Sequence, residues 1–174
     1  VIFTREPGGT KFGEKVREIL LAKNHLYNLT SETQLLLLLA ARKEHYEKLI
    51  KPFLLKKYIV ICDRFIDSTY AYQCTDNIKL KNLYTKLNKL IIGNFSPDLT
   101  ILLDISPDLA LERMKSRKHS NKFDKLSEFF FIKIREAYLK QANKHKRIKV
   151  IDASRSRNNV HTDILATVLN KIKF

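Results

Sequence analysis

Apolar residues fall along this chain in two alternating patterns. Short compact runs occupy residues 1–4 (VIFT), 58–62 (YIVIC), 99–103 (LTILL) and 150–153 (VIDA). The run at 58–62 is β-branched and does not alternate with polar residues, which predicts a parallel strand buried on both faces. Elsewhere apolar residues recur at helical spacing: Phe12, Val16, Ile19 and Leu20, then Leu80, Leu83, Leu87, Leu90 and Ile91, stopped by Gly93. Phe129 to Phe131 start another helix through Arg135, Tyr138 and Leu139. Val160, Ile164, Leu165, Val168, Leu169 and Ile172 mark a closing one. The sequence SETQ at 31–34 fits a capping box opening a helix with five consecutive leucines, 35–39. That helix is apolar all round, so it is expected to be buried in the domain or against a partner. Ser106 and Pro107 cap and start one more helix. Strand and helix alternate four times, which predicts an α/β fold: a parallel sheet with flanking helices and right-handed crossovers.

Polar residues gather where these strands end. Asp63 and Arg64 follow the run at 58–62, at the edge where open α/β sheets bind ligands. Ser68, Thr69, Tyr72 and Gln73 come next, and a helix would put them on one face. The plain alternative is a strand end followed by a solvated helix start. Residues 5–10 (REPGGT) force a turn and let the backbone approach a ligand closely. Arg42 ends the leucine helix, and if buried it needs an anionic partner. Residues 112–118 (ERMKSRK) concentrate positive charge before a polar segment at 119–125. Such charge is what closing over phosphates requires, although a charge run is usually a solvated face.

Composition narrows the classes. At 174 residues and 44% hydrophobic content the chain is expected to be one domain, and no apolar run approaches a membrane-spanning length. The formal charge of +15 suits nucleic acid or a polyphosphate ligand. The lysines are scattered, however, and no zinc, RRM or KH signature accompanies them. Cys62 and Cys74 are not at metal spacing and read as free thiols in a reducing compartment. The five histidines (25, 45, 119, 145 and 161) share no motif and receive no role.

TREPGGT (4–10), LAARKEHYEKLIKP (39–52), DRFIDSTYAYQ (63–73), PDLTILLD (97–104) and VIDA (150–153) together resemble the bacterial thymidylate kinases, in that family's order. The resemblance covers the whole chain. It implies a nucleoside-monophosphate-kinase-like P-loop fold over 1–174 and ATP-dependent phosphorylation of dTMP to dTDP, with magnesium. Glu6 and Pro7 would flank the nucleoside, and Arg17 would aim at the dTMP site. Arg42 and Arg64 would hold the acceptor, Arg64 on its phosphate. Ser68, Thr69 and Gln73 would contact the acceptor, and Tyr72 would crowd the 2′ position to select deoxyribose. Leu38 stands where the family stacks an aromatic ring on thymine, which leaves only apolar contact. Asp63 would act on magnesium through water. Arg113, Arg117 and Lys122 would act catalytically from a basic lid at about 113–125. Lys122 there keeps the charge of the family's arginine but loses its bidentate fork. Residues 154–158 match the loop that holds adenine. A cytoplasmic homodimer is implied, with neither nucleic acid nor membrane as partner.

The 174 residues contain no G-x-x-x-x-G-K-[ST]; glycine occurs only at 8, 9, 13 and 93. In the family this phosphate loop follows the central first strand, a few dozen residues before TREPGGT. The expectation is that strand and loop are both absent from this chain, and that the chain alone folds poorly and is inactive. Two alternatives stay open: a deoxynucleoside kinase of the same superfamily, and an inactive basic α/β fragment that binds nucleic acid.

Overall fold

Parallel strands form at the first two apolar runs, with β1 (Ile2–Arg5) beside β2 (Val60–Asp63) and Arg5 opposite Asp63. The computed structural model describes residues 1–22, 28–75, 77–115 and 127–172, in two units, Val1–Phe95 and Ser96–Phe174. In the first unit the helices are α1 (Lys11–Leu21), α2 (Ser31–His45), α3 (Lys51–Leu55), α4 (Ile66–Gln73) and α5 (Ile78–Ile92). Thr10, Thr30 and Asn77 cap α1, α2 and α5 by accepting a backbone N–H with the side chain. The cap of α2 thus falls one residue before the predicted box. Gln34 instead reaches back to the Leu29 carbonyl.

A π-helical turn, Tyr46–Ile50, links α2 to α3. Pro52 explains it: proline offers no N–H to the helix and its ring clashes with the preceding turn, and a widened turn absorbs both effects. Leu35 and Leu39 are sealed, at 0% and 1% exposure, against Leu80, Tyr84 and Cys74. Leu37 and Leu38 pack on the patch formed by Val16, Leu20 and Ala41. Leu36 lies on the remaining side of α2 and is half exposed, so only part of the leucine stripe is buried within this unit.

Burial of the strand at 58–62 on both faces is not what the structure shows. Val60 and Cys62 pack against Ile50, Phe65 and Ile92, whereas Ile61 and its neighbour Phe3 are exposed. Elements of this unit cover one side of the pair, and strand periodicity sends alternate residues to the other. Phe12 and Leu90 also lie off the buried faces predicted for their helices.

In the second unit β3 (Thr100–Asp104) pairs in parallel with β4 (Ile148–Asp152), Asp104 opposite Asp152. Its helices are α6 (Pro107–Lys115), α7 (Glu128–Lys144) and α8 (Arg157–Lys171). Among the described residues the four strands therefore form two parallel pairs rather than one sheet. Ile134, Ala137, Ile148 and Ile151 are buried, while Leu165 and Leu169 of α8 stay half exposed. Arg135 grips both carboxylate oxygens of Asp104, at 2.7 and 2.8 Å. That fork holds Asp104 below the usual carboxylate range.

A stability effect with a defined pH window follows. Because Asp104 is more acidic folded than unfolded, its contribution is fully present above about pH 4 and disappears as the pH falls through its lowered value. Asp104→Asn is expected to destabilise the protein at pH 7 and to converge on the parent under acid. Urea midpoints measured against pH would show it; a gap that does not change with pH would assign the loss to packing.

Candidate functional site

Chain reversal after β1 needs the glycines of the Arg5–Thr10 turn. Gly9 has φ +76°, a region L side chains rarely adopt, and a Cβ there would meet the His45 ring at 2.5 Å. The turn also sits tightly on α1, since a Cβ at Gly13 would lie 2.5 Å from the Gly8 carbonyl. Two side chains of the turn and helix clasp it from outside. Glu14 accepts from Arg5 at 2.8 Å and from the Gly9 amide at 3.2 Å. Arg5 holds the Glu14 carboxyl below its usual range. Arg17 donates to the Pro7 carbonyl at 3.2 Å, so it folds towards the turn rather than pointing into solvent.

Beneath the turn lies a buried ionic cluster. Glu6 is 6% exposed and Arg42 1%. Arg42 donates from Nε and Nη2 to Glu6 Oε2 (2.9 and 2.7 Å), from Nη2 to Thr69 Oγ1 (2.7 Å) and from Nη1 to Asn88 Oδ1 (3.1 Å). Its guanidinium also lies 5.1 Å from the Phe65 ring centroid. Burial is the strongest single influence and pulls its pKa down, but the charge and hydrogen bonding of Glu6 and Tyr84 together outweigh it, leaving it raised. His45 completes the cluster, with Nδ1 3.2 Å from Glu6 Oε1 and Nε2 2.7 Å from Thr4 Oγ1. Tyr84 donates to the Ile66 carbonyl at 2.8 Å, and burial pushes its hydroxyl well above the ordinary range.

Exposed charge sits beside this cluster. Asp63 ends β2, and its carbonyl accepts from the Glu6 amide at 2.9 Å. Arg64 takes up φ +66°, a strained backbone for a residue with a side chain. Its guanidinium lies 4.9 Å over the Tyr72 ring and reaches the Tyr72 hydroxyl at 3.4 Å. Ser68 and Gln73 are half-buried on α4. Cys62 is a free thiol whose sulfur contacts the Arg64 carbonyl, and burial pushes its pKa up to about 12. An open groove of about 600 Å³ at the sheet pair is lined by residues of both faces, among them Phe3, Ile61, Cys62, Arg5, Glu14 and Asp63.

The structure thus brings together Glu6, Arg42 and Thr69, links Arg17 to Pro7, and pairs Arg64 with Tyr72. Leu38 packs on the α1–α2 patch. In the second unit Arg113 donates to the carbonyls of Ala153 (2.8 Å) and Ser154 (3.1 Å), bracing the start of the 154–158 loop. Arg117 and Lys122, with most of the expected lid, lie outside the described residues. Asn88 and His45 escaped the sequence reading. For His45 a signal existed, because it follows Arg42 by three positions and so shares its helix face. Among the described residues no three His, Cys, Asp or Glu side chains gather as a metal cage.

Breaking the buried pair has a calculable cost. Arg42→Leu leaves the Glu6 charge without its cation and is expected to destabilise by about 3–5 kcal/mol. Urea denaturation would measure this, and a loss under about 1 kcal/mol would mean that the cluster is hydrated.

Three comparisons bear on what this arrangement belongs to. The family model described as Thymidylate kinase matches residues 1–164, across both units. The thymidylate kinase of Ruthia magnifica subsp. Calyptogena magnifica is 41% identical over 157 residues, covering 90% of this chain and 76% of that protein. That of Trichodesmium erythraeum is 40% identical over 173 residues, covering 99% and 77%. The crystal structure of thymidylate kinase from Ehrlichia chaffeensis superposes with a TM-score of 0.72 at 36% identity, over 96% of this chain and 79% of that one. With a family match over most of its length, and with that fold, the chain belongs to the thymidylate kinases, a family of phosphotransferases.

Proposed function

We propose that this protein takes part in transfer of the γ-phosphoryl group of ATP to the 5′-phosphate of dTMP, giving dTDP, with residues 1–174 forming one nucleotide-kinase domain. The observation that carries the acceptor half is the division at the ends of β1 and β2. A sealed Glu6–Arg42–Thr69 cluster lies beneath the turn, and an exposed Arg64 stands beside Asp63. Arg64 meets the acceptor phosphate. Its contact with Tyr72 holds that ring near the sugar, where it disfavours a 2′-hydroxyl. Glu6 and Pro7 shape the wall beside the nucleoside. Arg17 is steered towards the same wall by the Pro7 carbonyl, and Arg42 acts on the acceptor from beneath. Ser68 and Gln73 supply hydrogen bonds from α4, Thr69 acts through Arg42, which it holds, and Leu38 offers the base an apolar surface.

Asp63 fits magnesium as a single hard-oxygen ligand acting through water, which suits a cation that keeps several waters. Magnesium, when bound, supplies charge neutralisation at the phosphates. For the donor, Arg113 fixes the 154–158 loop as a seat for adenine, and Arg117 and Lys122 complete the basic lid. The 174 residues hold no phosphate loop of the G-x-x-x-x-G-K-[ST] form, so donor-phosphate binding is assigned to none of them. Half-exposed Leu36 supports a homodimer through α2, and a cytoplasmic location follows the family. No helix among the described residues is long and apolar enough to cross a membrane.

Calorimetry with dTMP and with thymidine tests this reading. The protein is expected to bind dTMP and to discriminate against thymidine, and Arg64→Ala is expected to weaken dTMP binding by about 1.5–3 kcal/mol. Preference for thymidine would favour a deoxynucleoside kinase, and dTMP affinity within twofold of the parent in Arg64→Ala would remove Arg64 from the phosphate.

A second substitution probes the base. Leu38→Phe is expected to tighten dTMP binding by about 0.5–1.5 kcal/mol by adding an aromatic stack. Unchanged affinity, again by calorimetry, would make Leu38 an ordinary packing residue.

A further inference from the structure

His45 is the one fully buried titratable side chain of the cluster that the proposed reaction does not use. It is 0% exposed, at the last position of α2 and just before the π-helical turn. The ring joins two residues of the first strand and turn. Thr4 lies in β1 and Glu6 just past its end, and both side chains meet the ring. The ring nitrogens meet them separately, Nε2 at Thr4 and Nδ1 at Glu6.

The Glu6 carboxylate is consequently held at both oxygens by different residues. Oε2 takes both Arg42 contacts, and Oε1 takes His45. An ionised carboxylate only accepts, so Nδ1 is the donor in that contact. A hold at Oε2 alone would leave the carboxylate free to swing about that atom; the second contact fixes its plane. The same ring also lies under the turn backbone, since a Cβ on Gly9 would meet it at 2.5 Å. Simple core filling does not account for this arrangement. A leucine would occupy the volume, but it would leave Oε1 buried and without that donor, which is costly.

We infer that His45 is a positioning residue for the acceptor nucleotide: by fixing the Glu6 carboxylate and supporting the Pro7–Gly9 backbone, it sets the shape of the nucleoside wall. This rests on the acceptor site proposed above, in which Glu6 and Pro7 flank the nucleoside. The side chain itself does not touch substrate.

The test combines calorimetry with nitrogen NMR on protein labelled at histidine with ¹⁵N. On saturation with dTMP, the His45 ring nitrogens of the parent are expected to shift. His45→Leu is expected to weaken dTMP binding by about tenfold, equivalent to about 1.4 kcal/mol. His45→Gln, whose amide can again donate to Glu6, recovers most of that loss. If His45→Leu fails to fold, the ring shift in the parent and the affinity of His45→Gln decide. A ring signal unmoved by saturating dTMP, or a folded His45→Leu that binds like the parent, overturns the inference while leaving the acceptor site standing. His45→Gln binding dTMP tenfold more weakly than the parent overturns the hydrogen-bond account. A parent that does not bind dTMP at all overturns the acceptor site, and this inference with it.

Discussion

Glu6 and Arg42 are both withdrawn from water, and the surrounding architecture has to make that tolerable. Isolated charges in such a place would cost several kcal/mol each, and pairing restores enough only when the remaining hydrogen-bonding groups also find partners. Here Thr69 from α4, Asn88 from α5 and His45 from α2 take the remaining bonds. Each of those helices is thereby tied to the turn after β1. A buried ion pair of this kind is weak evidence for stability against an apolar core, but it does specify geometry. The turn cannot shift without stripping partners from two charges.

That constraint separates the buried charges from the exposed ones. Buried members of the cluster set where the turn and α4 stand, while Arg64 and Asp63, at the strand ends, are exposed. The strained backbone of Arg64 fits this arrangement. A residue held at positive φ persists only where its surroundings enforce it, and such residues cluster at functional positions. In the second unit the ionic contacts are more exposed, and Arg113 and Arg135 brace the ends of β3 and β4.

Membership in the thymidylate kinases weighs against the two alternatives. A basic fragment that binds nucleic acid through its net charge is not favoured, and neither is a deoxynucleoside kinase. Excess positive charge is a statement about surface potential and the anions it attracts, and polyphosphate nucleotides satisfy it as well as nucleic acid does.

The local pattern of this sequence was enough to determine most of the elements. The strands expected at 58–62 and 99–103 and found at Val60–Asp63 and Thr100–Asp104, the Asn77–Gly93 helix limits and the Pro107 start are dictated by β-branched runs, caps and breakers acting over a few residues. The motifs at 4–10, 39–52 and 63–73 were likewise enough to name the family. Tertiary structure alone decided which of their side chains meet. Nothing near Arg42 in the chain indicates that its anion is Glu6, thirty-six positions away, or that Asn88 completes its shell. His45 lies within the 39–52 motif, but its contact with Glu6 comes from lying one helical turn beyond Arg42 and beneath Gly9. The open face at Ile61 departs from expectation for the same reason. An apolar run reports that a strand can be buried, but coverage depends on which elements pack over each face, and that is a property of the folded chain rather than of any stretch within it.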